Sequence, residues 1–144
     1  MILAILLGLG LLVVTIFFHY EGLRYLWHYA LTIHGHTRYK PLMIVFGIVA
    51  LHLIEMALYG WAFWFGDVSM DIGDFVGHDV GARDYLYFSA ETYTTLGFGD
   101  IYPVGDLRLI ASVEALNGLL MLGWSASFIY LAMEKFWDRG RRKN

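Results

Sequence analysis

The sequence predicts an all-α membrane protein with three spanning helices and a short fourth helix that enters the bilayer without crossing it. The chain of 144 residues is 58% hydrophobic and only 16% charged, more apolar material than a soluble domain of this length can hide. The apolar residues gather into three long runs of spanning length. Between the second and third runs lie a Gly- and Asp-rich loop and a helix-length stretch too short to cross. Irregular backbone at membrane depth is tolerated only where protein or water surrounds it.

Ile2–Phe18 is free of charge over 17 residues, the lower limit for a hydrocarbon core of roughly 30 Å. It lacks a basic leader region, and no small-x-small site precedes His19-Tyr20-Glu21, so a retained helix is expected and not a cleaved signal. Glu21-Gly22-Leu23-Arg24-Tyr25-Leu26-Trp27 then reads as a separate helix on the membrane surface. His19, His28, His34 and His36 fall in this connecting stretch and read as interfacial residues. His34-Gly35-His36 has the spacing of a weak metal or titrating pair but no acidic or thiolate company.

The second span, Pro41–Phe65, opens with proline at a helix-entry position and closes in the aromatic cluster Trp61, Phe63, Trp64 and Phe65. Gly66–Gly81 is the polar loop and Ala82–Tyr93 the short helix. The third span, Asp106–Phe136, reaches roughly 46 Å at the helical rise and must tilt or project from the bilayer.

Net charge is −3, and its distribution says more than its sum. Arg24, Arg38 and Lys40 precede the second span, and Lys135, Arg139, Arg141, Arg142 and Lys143 follow the third. The opposite side carries Arg83 and Arg108 among Asp67, Asp71, Asp74, Asp79, Asp84, Asp100 and Asp106. The excess of cations places the N-terminus outside and the C-terminus inside, in agreement with an odd number of spans. The expected location is the plasma (cell inner) membrane, multi-pass. No basic patch suits nucleic acid. The absence of cysteine excludes disulfides, thiolate metal sites and thiol nucleophiles.

The most informative segment is Thr94-Thr95-Leu96-Gly97-Phe98-Gly99-Asp100. Gly97 and Gly99 take positive φ without a Cβ clash. A backbone alternating between left- and right-handed conformations aims successive carbonyls to one side. The Leu96 and Phe98 side chains then point to the other, where they are expected to pack into protein. A dinucleotide-binding reading fails because Tyr102 stands where the third glycine of G-x-G-x-x-G belongs.

Glu91-Thr92-Tyr93-Thr94-Thr95-Leu96-Gly97-Phe98-Gly99-Asp100-Ile101-Tyr102-Pro103 resembles the pore loop of the potassium channel family, of the two-helix pore-loop type. That family's usual filter reads T-V-G-Y-G-D and is followed by a similar x-Y-P. The resemblance covers Pro41 to about Phe136 and divides the chain into three parts. These are an N-terminal helix and interfacial linker (1–40), a pore domain of outer helix, re-entrant pore helix, filter and inner helix (41–136), and a basic cytoplasmic tail (137–144).

The resemblance implies a filter in which the carbonyls of Thr95, Leu96, Gly97 and Phe98, with the Thr95 hydroxyl and Gly99, replace the hydration shell of K+. No internal repeat is visible, so each chain supplies one strip and four copies complete a homotetrameric pore. K+ is then the bound ion, and no organic cofactor or enzymatic chemistry is implied. The partners are further copies and membrane lipids, with anionic lipid suited to Arg139-Gly140-Arg141-Arg142-Lys143. Leu96 departs from the family's β-branched residue and Phe98 from its tyrosine, which bears on filter rigidity.

The resemblance also assigns supporting roles. The residues up to Thr95 end the pore helix, whose C-terminal dipole favours a cation, and Asp84 suits the helix's opposite end. Glu91 and Asp100 are expected to pair behind the filter and share a proton, the alternative being that Glu91 accepts from backbone amides; Tyr87 either donates to Asp100 or only packs. Phe88 joins Tyr87 in an aromatic collar, and Tyr102 rings the outer mouth. Gly118 aligns with the hinge glycine and Gly123 follows; small-residue packing is the alternative for both. Asn117, Met121, Ser125 and Phe128 share a helical face that lines the cavity or the cytoplasmic constriction, or simply packs against neighbouring helices.

His52, Glu55 and Glu114 are costly inside a membrane and, with Glu91, are candidate pH-sensing groups. A salt bridge or shared proton among the first three is one reading; a neutral carboxyl or histidine bonding a neighbouring helix is the other. Three other readings compete. A weakly selective monovalent cation channel follows if Leu96 and Phe98 let the filter relax. A small membrane haem or redox protein needs two facing histidines, but only His52 lies deep in an expected span. An accessory channel subunit is the third.

Overall fold

Helix α1 runs unbroken from Ile2–Thr32, and this is the first departure from expectation. Glu21–Trp27 is not a separate surface segment; it continues the spanning helix. Glu21 and Arg24 lie on the exposed side and bond each other at 3.2 Å, so the charged stretch gives the helix no reason to break. Within a bilayer an unbroken helix also keeps every backbone group bonded. The computed structural model describes residues 1–33, 39–77 and 80–141. His34 and His36 therefore lie outside the described residues, as do the last residues of the basic tail.

Helix α2 (Lys40–Val68) carries Pro41 in its first turn, where the missing N–H is no loss. Strand β1 (Phe75–Val76) pairs antiparallel with β2 (Tyr102–Pro103), Phe75 opposite Pro103. Between them lie α3 (Ala82–Tyr93) and the loop of residues 94–101. Helix α4 (Leu107–Arg141) ends the described chain. Among the described residues, α1, α2 and α4 are long and apolar enough to cross a membrane. The fold is mostly helical, as expected, with one small hairpin-like pairing added at the loop end.

Glycines set how closely the helices approach. A Cβ on Gly22 of α1 would meet Leu51 Cδ2 of α2 at 2.5 Å, and one on Gly47 of α2 would meet Leu26 Cδ2 of α1 at 2.4 Å. Each helix thus receives a leucine of the other on a bare glycine. Helix α1 also packs along α4. Met1, at its N-cap, lies against Asp106, which puts the start of α1 at the same end of the molecule as the 94–101 loop.

The core falls into two apolar clusters. One, at the loop end, joins Ala4, Tyr59, Phe63, Tyr85, Phe88, Leu107 and Ile110, with Phe63, Phe75 and Phe88 edge to face at centroid distances of 5.0–5.7 Å. The other, at the opposite end, joins Leu23, Ala30, Ile44, Ile48, Leu51, Ala132 and Phe136. Between them lie buried polar residues, among them Thr15, His19, His52, Glu55, Ser89, Glu114, Asn117 and Ser125. This mid-depth polar layer touches all four helices.

Candidate functional site

Helix α3 aims its last turn at the loop. Its start is capped locally: the Gly81 amide donates to Asp84 Oδ2 at 2.6 Å, while the Asp84 amide donates to the Gly81 carbonyl at 3.0 Å. Asp84 thus serves the positive end of the helix dipole. Tyr85 donates to Asp67 Oδ2 at 2.7 Å and ties this start to the end of α2. Burial, and then the neighbouring Asp67 carboxylate, push the Tyr85 phenol up to about 12.

The loop that follows alternates in hand. Thr95, Gly97 and Gly99 have φ of 61°, 57° and 77°, whereas Leu96 and Phe98 do not have positive φ. Only one of the three left-handed positions is a side-chain-bearing residue, Thr95, where the conformation costs about 1–2 kcal/mol. A single residue compensates by collecting the loop's amides. The Glu91 carbonyl accepts from Leu96 at 2.8 Å and from Gly97 at 3.3 Å. Its carboxylate Oε2 accepts from the Phe98 amide at 3.0 Å. Among the described residues no hydrogen bond ends on the carbonyls of Thr95, Leu96, Gly97 or Phe98.

One oxygen of the Glu91 carboxyl accepts from the Phe98 amide, so the buried side chain serves the loop backbone. Asp100 accepts from the Tyr87 hydroxyl at 3.2–3.3 Å. Desolvation and the Asp100 carboxylate raise the Tyr87 phenol. Phe88 packs into the aromatic cluster beneath. Within one chain Leu96 and Phe98 meet little protein: they are 64% and 68% exposed. A Cβ at Gly97 or Gly99 would meet nothing within 4 Å, so these glycines answer to backbone conformation and not to crowding. Tyr102 stands exposed just beyond.

Gly118 has a packing reason. A Cβ there would lie 2.1 Å from the Tyr93 carbonyl oxygen, so α4 presses its bare backbone against the end of α3. Gly123 faces open space. Asn117, Met121, Ser125 and Phe128 do not line a cavity at the exposed face: the first three are buried, and Phe128 packs against the buried cluster and edge-on to Trp27 of α1. The exposed face of α4 carries Leu116, Leu119, Leu120 and Gly123 instead. Helical spacing defines a face without saying which neighbour takes it, and here α1, α2 and α3 do.

Of the intramembrane charges, His52 and Glu55 come together, with His52 Nδ1 3.5 Å from Glu55 Oε2. Glu114 does not join them. Its Oε1 bonds Ser89 of α3, and its Oε2 is buried without a partner. Sequence reasoning missed the residue that completes the His52–Glu55 site. His19 is fully buried and not interfacial; its Nδ1 lies 2.9 Å from Glu55 Oε1 and its Nε2 2.9 Å from Ser125 Oγ. The available signal was a stripe: Ala4, Gly8, Thr15 and His19 fall on one helical face of small or polar residues.

His19 and His52 do face each other, with ring centroids 5.1 Å apart, but all four ring nitrogens are engaged with side chains. No ring nitrogen is left for a haem iron. Comparison with known proteins agrees. A family model described as "Ion channel" matches residues 42–135. The chain is also similar to the inward rectifier potassium channel Kirbac3.1 of Paramagnetospirillum magnetotacticum, 36% identical over 86 residues. That alignment covers 58% of this chain and 27% of the relative, so the chain spans about a quarter of its length.

Proposed function

The chain belongs to the ion channel family, and from that premise we propose that it is a potassium-selective channel, built as a homotetramer around the loop of residues 94–100. The observation that carries this reading is the alternation of left-handed backbone at Thr95, Gly97 and Gly99. With the amides of Leu96, Gly97 and Phe98 drawn to Glu91, the carbonyls of Thr95 to Phe98 are free to face an axis. There they take the place of water around K+, the Thr95 hydroxyl adding a site at the lower end. One strip cannot surround an ion. The exposed Leu96 and Phe98 suit packing against neighbouring copies.

Further parts follow from this arrangement. The C-terminal end of α3 directs partial negative charge at the space beneath the filter. The leucines on the exposed face of α4 would line the inner cavity. Gly123, open on that face, is the freer hinge, while Gly118 is held against Tyr93. The distribution of Lys and Arg supports an outward filter mouth and N-terminus and a cytoplasmic C-terminus in the plasma membrane, where the basic tail meets anionic lipid.

The test is a flux assay on purified protein in liposomes loaded with K+. We expect K+-driven flux and a reversal potential that follows the K+ gradient when Na+ is on the other side. A reversal potential near zero under that gradient would establish the weakly selective alternative, in which Leu96 and Phe98 let the loop relax. No flux at any pH would reject the reading.

A further inference from the structure

The polar layer contains a closed circuit. Glu55 Oε1 meets His19 Nδ1 at 2.9 Å; His19 Nε2 meets Ser125 Oγ at 2.9 Å; Ser125 Oγ meets His52 Nε2 at 3.1 Å; His52 Nδ1 meets the Tyr93 hydroxyl at 2.9 Å; and Tyr93 donates back to Glu55 Oε2. Five side chains from all four helices form five edges, and none is more than 8% exposed.

The donors and acceptors can be counted. Each edge needs one hydrogen, so the ring needs five. Neutral serine, tyrosine and two neutral histidines bring four, and an ionised glutamate brings none. The fifth is one resident proton, and with it the ring carries no net charge. With Glu55 ionised, two arrangements satisfy every edge: His19 doubly protonated with Ser125 donating to His52, or His52 doubly protonated with Ser125 donating to His19. One converts to the other when the His19 Nε2 proton passes to Ser125 Oγ as the Ser125 hydroxyl proton passes to His52 Nε2. With four protons, two acceptors face across an edge; with six, two donors do. Either opens the ring at a buried edge. Burial and the Glu55 carboxylate keep the Tyr93 phenol protonated by pushing it well up.

We propose that His19 is a positioning residue for the filter: through this ring α1 holds Tyr93 two residues ahead of Thr95, and conduction depends on the single proton the ring retains. The proposal rests on the reading of residues 95–98 as a filter. Tyr93 is suited to the role because its carbonyl also abuts Gly118, so the end of α3 is clamped between the ring and α4. The other titratable groups acting on Tyr93 are Tyr59 of α2 and Glu114 of α4. Glu114 is held by Ser89, and Glu91 of α3 by the Phe98 amide. The buried face of α1 offers none besides His19. His19, His52 and Glu55 also lie within metal-ligand reach of one another, but an ion enters only by displacing the ring's protons.

The experiment uses the full chain, purified in detergent and in liposomes, as wild type, His19→Gln, Tyr93→Phe and the double variant. Potassium flux and melting temperature are read between pH 4 and pH 10 (roughly the range over which His, Glu and Tyr side chains titrate). Wild type should show a melting plateau that falls on both sides and a flux that follows it. His19→Gln, polar but unable to hold the extra proton, should lose the pH-dependent step and at least about fivefold of the flux. Tyr93→Phe should do the same, and the double variant no worse than either, because both break one ring. If His19→Gln fails to assemble, Ser125→Ala, which opens the ring at two edges, carries the same expectation.

Wild-type flux and pH profile in His19→Gln would overturn the proposal, as would stoichiometric zinc in the purified wild type. A silent wild type whose melting step vanishes in His19→Gln would keep the ring and reject the filter reading instead.

Discussion

Glu91 and Phe98 are joined by a hydrogen bond of 3.0 Å from the Phe98 amide to the Glu91 carboxylate, and the same glutamate's carbonyl takes the amides of Leu96 and Gly97. One residue on the last turns of a short helix therefore sets the direction of three successive peptide units. The carbonyls face away from it because the N–H groups face toward it.

Removing that carboxylate should disable the loop while sparing the fold. Glu91→Ala leaves the part-buried Phe98 amide unpaired, at a cost of about 1–3 kcal/mol, and we expect shortened open times or loss of flux with the helical content unchanged. Glu91→Gln keeps an acceptor and should retain most of the flux. Single-channel recording of the two variants checks this; equal behaviour of Glu91→Ala and wild type would mean that other contacts hold the loop.

The two glycines of α4 should respond differently. Gly118→Ala drives a methyl into the Tyr93 carbonyl and should destabilise the protein by about 1–3 kcal/mol, seen as a lower melting temperature. Gly123→Ala meets nothing within 4 Å and should melt like wild type or slightly higher, since alanine favours the helix by about 1 kcal/mol. A change in open probability without a change in melting would mark Gly123 as the bending point.

Tyr85 ties α3 to α2 through Asp67. Its phenol is raised above the ordinary tyrosine value to about 12, so the tie is fully present below roughly pH 10 and is lost as pH rises through about 12. Tyr85→Phe should cost about 0.5–1.5 kcal/mol at neutral pH and abolish this component of alkaline unfolding. Denaturation followed by circular dichroism across the alkaline range checks both effects.

Tyr102 is exposed beside the loop, where four copies would ring the mouth. Tetraethylammonium added on the mouth side should block flux, and Tyr102→Val should weaken the block by about 2- to 30-fold, the range that corresponds to a cation–π loss of about 0.5–2 kcal/mol. Undiminished block in the variant would place the tyrosines away from the axis.

The chain lacks cysteine, so introduced thiols report topology directly. Val76→Cys, at the mouth end and 42% exposed, should react with an impermeant maleimide added outside intact cells. Lys135→Cys, near the far end of α4, should react only after the cells are opened. The reverse pattern would invert the orientation derived from the lysines and arginines.

Hydrophobic runs, the short helix with its acidic N-terminal turn, and the glycine alternation at 97 and 99 were legible in sequence, because each depends on local covalent facts. Chain length against bilayer thickness, a missing Cβ and the placement of charge need no partner to be read. The bounds of α3 follow from the same local signals. What sequence could not decide was which buried face meets which helix. Glu91 took the Phe98 amide, Glu114 went to Ser89, and His19, four residues beyond Thr15, turned inward to Glu55. In each case a buried polar atom must find a partner within about 3 Å, and only the packing of four helices determines which partner is near.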